Sequence, residues 1–186
     1  MVRHAALPLS ILATLVLAAC SPAEKKTEAP AASGATPAAA GNKKVAITAI
    51  VEHPALDAVR KGVLDELKAQ GFEEGKNLTV DFQSAQGSTA NAAQIAKKFA
   101  GDNPDVIVAI ATPSAQSVVA ATKTIPVVYS AVTDPVAAKL VSSWEPSGTN
   151  VTGVSDELPL EPQIDLMKQI VPTVKNIGYV YSPGEV

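Results

Sequence analysis

Three short stretches set polar side chains beside a proline: Val51-Glu52-His53-Pro54, Ala111-Thr112-Pro113-Ser114-Ala115-Gln116 and Val132-Thr133-Asp134-Pro135. Proline has a fixed φ and no N–H, so it suits the first position of a helix. A helix beginning there presents free backbone N–H groups and the positive end of its dipole, which suit a carboxylate or a phosphate. After Thr112-Pro113 the free N–H groups are those of Ser114 and Ala115. Asp134 can face a cation such as an ammonium. Each stretch also has a plain structural reading. Thr112 and Asp134 are ordinary helix caps, and Glu52 and His53 an ordinary surface pair. Taken together at one edge of a fold, the three favour a binding site.

Other chemistries lack their residues. The sequence has no Gly-x-Gly-x-x-Gly, no phosphate-binding Walker loop and no Gly-x-Ser-x-Gly elbow. His4 falls in the leader described below, so His53 is the one histidine left, and no His/Asp/Glu cluster has metal spacing. No catalytic residue, cofactor or metal is expected. Net charge is −3, with no basic patch, which argues against nucleic acid as a partner.

The elements that must position the three stretches alternate between strand and helix. Val45–Val51 is a nearly all-apolar, β-branched run suited to a strand buried on both faces. Pro54–Gln70 predicts a helix with Leu56, Val59, Val63, Leu64 and Leu67 on one stripe and Gly71 at its left-handed stop. Leu78–Phe82, Val106–Ile110 and Ile125–Tyr129 predict further strands. Ser88 or Thr89 opens a helix that ends near Gly101, and Ser114–Thr122 and Pro135–Val141 predict two more. Four strands joined by three crossover helices imply a doubly wound parallel α/β sheet. In such sheets ligands bind beyond the carboxyl ends of the strands, where all three stretches fall. Asn150–Val154 predicts a short strand, Leu160–Val171 a helix and Ile177–Tyr181 another buried-type strand. One helix and one strand cannot close a core of their own.

The first residues carry a separate signal. Arg3 and His4 precede an apolar run, Leu7–Ala19, shorter than the ~20 residues a membrane span needs. It ends in Leu17-Ala18-Ala19-Cys20, which resembles the bacterial lipobox, where the cysteine thiol takes a diacylglyceryl group and the bond before it is cut. Cys20 is the one cysteine, so no disulfide is possible. Residues 21–43, rich in Ala, Pro and Ser, hold too little apolar surface to fold and read as a tether. The expected organisation is a signal peptide over 1–19, lipidated Cys20 and tether over 20–43, a first α/β lobe over 44–154, and an incomplete second lobe over 155–186.

The segments VEHPALDAVRKG, SAQGS, VIVAIATPSAQ, IPVVYSAVTDPVAAKLV, NVTGVSD and GYVYSPGE, in that order, resemble the ABC-transporter substrate-binding lipoproteins of the tryptophan/tyrosine-binding type. The resemblance implies a periplasmic-binding-protein-like fold: two α/β lobes on a hinge with ligand closed between them, the second truncated here. It implies capture of a small solute, an aromatic or other amino acid, for an ABC permease. Such a protein is exported and lipid-anchored, facing the periplasm or cell exterior. Carried over by position, the ligand-facing residues are Glu52, His53, Thr112, Pro113, Ser114, Ala115, Gln116, Thr133 and Asp134. The sequence departs from the family pattern at Ser84 and Ser88, where Asn and Asp are expected, and at Ser182, where Asn is expected. Two other classes are compatible with the chain: a lipid-anchored α/β enzyme, and a sensory binding lobe, each with key residues in a missing half.

Overall fold

The computed structural model describes residues 41–146 and 148–181. The leader, Cys20, the tether up to residue 40 and Ser182 lie outside the described residues.

Five strands form one parallel sheet in the order β2-β1-β3-β4-β5: β1 Lys43–Ala49, β2 Leu78–Ser84, β3 Val106–Ile110, β4 Val127–Val132 and β5 Val151–Ser155. The helices are α1 Pro54–Ala69, α2 Thr89–Asp102, α3 Thr112–Ala121 and α4 Leu160–Ile170. Central β1 shows why its sequence is almost wholly apolar. Val45, Ile47 and Ala49 face one core with Val108, Ile110 and the α1 stripe of Leu56, Val59, Val63, Leu64 and Leu67. Ala46, with Ile107 and Ala109, faces a second core with Ala92, Ile95, Ala96 and Phe99 of α2 and Ala115, Val118 and Val119 of α3. The sheet therefore has helices on both faces, as a parallel sheet requires. The ring of Phe99 is fully buried.

Local signals set the helix ends. His53 Nδ1 caps α1 by accepting from Ala55 N–H, and Pro54 opens the helix. α1 stops at Gly71, φ +87, whose N–H bonds to Lys68 O while Phe72 N–H bonds to Leu67 O. This paired return is a Schellman stop, and it needs the left-handed region that glycine enters without strain. Ser88 caps α2 through Asn91 N–H, and Asn103 ends it at φ +48.

The short strand expected near Asn150–Val154 joins the same sheet beside β4 as Val151–Ser155. Two expectations change. Pro135–Val141 is not a helix but one turn of one. Ala138 N–H bonds to Asp134 O, but Lys139 turns to φ +58, and Lys139 and Leu140 N–H return to Val136 O and Pro135 O. Ile177–Tyr181 forms no strand: these residues are exposed and unpaired with any strand. α4 likewise buries no residue, leaving Leu160, Leu166 and Ile170 open. Among the described residues no helix is long and apolar enough to cross a membrane.

Candidate functional site

The chain leaves β1 toward β2 through α1, then returns across the sheet to β3, so the direction of winding reverses between β1 and β3. The region outside the carboxyl ends of those two strands is the usual ligand position in open α/β sheets. Glu52-His53 follows β1 and Thr112–Gln116 follows β3. Thr133-Asp134 follows β4, next in the sheet. Because all five strands are parallel, the three stretches lie on one edge.

The middle stretch is the most buried of the three. Thr112, Pro113, Ser114 and Ala115 are all buried, with Ala111 and Thr112 still 8% and 5% exposed. Ala111 sits at φ +72, ψ 154, a conformation that costs an alanine about 1–3 kcal/mol. Two bonds hold it there: Ala111 N–H to Ser130 O at 2.9 Å, and Ala115 N–H to Ala111 O at 3.1 Å, so Ala115 N–H is not free as expected but closes the first turn of the helix. No side chain caps α3, so its dipole end is not answered from within the helix. Ser114 Oγ is fully buried without a hydrogen-bond partner among the described residues. An unanswered buried hydroxyl costs about 1–3 kcal/mol and calls for an explanation.

The flanking stretches are more open. Glu52, His53 and Thr133 are exposed and Asp134 is half-buried. His53 spends Nδ1 on the cap of α1, so its outward nitrogen is Nε2. Asp134 Oδ1 accepts from Val136 N–H and Ala137 N–H, both at 2.9 Å. Its other oxygen has no partner among the described residues. Thr133 Oγ1 donates to Asp156 Oδ1 at 3.2 Å, and Ser155 Oγ donates to Thr133 O at 2.6 Å. β5 thus brings Asp156 to the same edge of the sheet beside Thr133. Sequence reasoning missed Asp156, although the Thr-Gly-Val-Ser-Asp run signals a strand ending at this edge.

Gln116, the last residue of the middle stretch, reaches across to the turn after β4. It is half-buried, and its Nε2 donates to Ala138 O at 3.1 Å. The departures at Ser84 and Ser88 have a local account. Ser84 Oγ accepts from Gln86 N–H and Ser88 Oγ from Asn91 N–H, the turn and cap bonds that Asn or Asp also supply. Among the described residues no group of three His, Cys, Asp or Glu is placed to hold a metal ion.

Residues 44–186 match the family model of the ABC transporter substrate binding protein. The chain is 45% identical over 144 residues to a "Tyrosine-binding protein" of Clostridioides difficile (strain R20291), covering 77% of this chain and 42% of that protein. Among solved structures it resembles a conserved domain protein from Vibrio cholerae O1 biovar El Tor, with 62% identity and a TM-score of 0.75, covering 77% of this chain and 49% of that one. It also resembles an ABC domain from Streptococcus pneumonia in complex with L-Trp, with 39% identity and a TM-score of 0.74, over 78% and 49% of the two chains. The chain therefore spans about half the length of these relatives, and its α/β sheet corresponds to one lobe of them. On the family match and these identities, the chain belongs to the ABC transporter substrate binding protein family.

Proposed function

We propose that the protein captures an aromatic amino acid outside the cytoplasmic membrane and delivers it to an ABC permease. The described lobe forms one wall of the cleft, and a second lobe, as in the full-length relatives, forms the other. The observation that carries this reading is the pairing at one edge of an uncapped helix start with an aspartate that keeps one oxygen free. The first suits a carboxylate, the second an ammonium, and an amino acid carries both. A relative named for tyrosine and a solved relative holding L-Trp support the choice of an aromatic side chain. In this reading Glu52, His53 and Thr133 line the rim. Thr112 to Ala115 form the floor, and Gln116 stands behind it.

We propose also that Cys20 carries the lipid that holds the protein at the membrane. Two acyl chains of a diacylglyceryl group suffice for stable anchoring, where one does not.

The test is calorimetry on the full-length protein with L-tryptophan, L-tyrosine and tryptamine. Both amino acids should bind, and tryptamine, which lacks the carboxylate, should bind at least about tenfold more weakly, the cost of losing one charge-assisted bond. Equal binding of tryptamine and L-tryptophan would remove the helix start from the site.

A further inference from the structure

The Ala138 peptide group is held at both ends. Its N–H donates to Asp134 O at 2.9 Å, and its carbonyl accepts from Gln116 Nε2 at 3.1 Å. Gln116 lies on the first turns of α3, a rigid continuation of the helix start that forms the floor. The turn carrying Asp134 is otherwise short and closes through the left-handed Lys139, a conformation a lysine adopts at a cost. One side-chain hydrogen bond across 22 residues thus ties the turn that carries Asp134 to helix α3.

We propose that Gln116 is a positioning residue. It fixes the distance between the uncapped start of α3 and the free oxygen of Asp134, and so selects ligands whose carboxylate and ammonium sit on one carbon. The bond is not spent on the ligand; it holds the turn in the one arrangement that meets it. This rests on the reading of Asp134 given above. A site whose competent arrangement is only partly populated loses affinity by that fraction. Gln116→Met keeps the length and packing of the side chain and removes the donor.

The test is a double-mutant cycle on the full-length protein, with L-tryptophan titrated by calorimetry. Gln116→Met alone should weaken binding about threefold to tenfold, the range expected when one neutral hydrogen bond no longer holds the turn. In the Asp134→Asn background it should cost less than about twofold more, since the residue it positions no longer carries the charge. Amide exchange at Ala138 and Leu140 in the ligand-free protein should speed up. Gln116→Ala repeats the comparison if the thioether is not accommodated. Losses that simply add across the cycle, unchanged exchange, or unchanged affinity in the single variant would each overturn the proposal. Asp134→Asn binding as well as the parent would instead sink the reading on which it rests.

Discussion

Two substitutions at Asp134 separate the two jobs its carboxylate performs. Oδ1 accepts from Val136 and Ala137 N–H, and the amide oxygen of an asparagine can accept the same two bonds. Asp134→Asn should therefore hold its turn with a stability change below about 0.5 kcal/mol, while Asp134→Ala loses the cap and about 1 kcal/mol. For a body of this size the second change lowers Tm by about 2–4 °C. Ligand binding should sort the pair differently. Both variants lose the negative charge facing the ammonium, worth about 1.5–3 kcal/mol in a charge-assisted bond, so both should bind about tenfold to a hundredfold more weakly. The assays are thermal unfolding without ligand and calorimetry with L-tryptophan on the full-length protein. Asparagine binding like the parent would reduce Asp134 to a cap. Alanine as stable as asparagine would show that the two N–H bonds contribute nothing measurable.

Gly153→Ala should destabilise the lobe by about 1–3 kcal/mol in denaturant unfolding, because a Cβ there would lie well inside contact distance of the Tyr129 carbonyl and ring. Asp105 accepts from Lys44 N–H and Lys43 Nζ, and these bonds hold its pKa below the ordinary carboxylate range. Its contribution is complete above about pH 4, where the unfolded chain is also ionised, and fades as the pH falls through the folded value. The stability gap between the parent and Asp105→Ala should therefore shrink from pH 6 toward about pH 3 in urea titrations, and a gap constant over that range would contradict the bond pattern. Cys20→Ala should abolish lipidation and release the protein from the membrane fraction, which mass spectrometry of the mature N-terminus can follow.

The strands were legible because burial on both faces leaves nearly pure apolar runs, as in Val106–Ile110. Helix starts and stops were legible where the chemistry is local, as at Pro54 and Gly71. The misread segments carry the same apolar signal for other reasons. Val136, Ala138 and Leu140 look helical, yet Ala138 and Leu140 plug the core from a turn that Lys139 closes after one revolution. Ile177–Tyr181 reads as a buried strand, but a strand exists only where a neighbour supplies its hydrogen bonds, and among the described residues no strand pairs with it. At the site, the edge followed from strand direction alone. The inward aim of Gln116 and the arrival of Asp156 beside Thr133 depend on pairings 22 and 23 residues apart, which spacing does not reveal.

The irregular path from β4 to β5 carries the one tryptophan of the sequence, Trp144, which stays 59% exposed beside Tyr129 and Gly153. A lone indole in water emits at long wavelength, and any closure that covers it shifts that emission to the blue. Tyrosine absorbs and emits at shorter wavelength than tryptophan. Excited at its red edge, Trp144 is therefore an optical gauge, within this chain, of what covers β4 and β5.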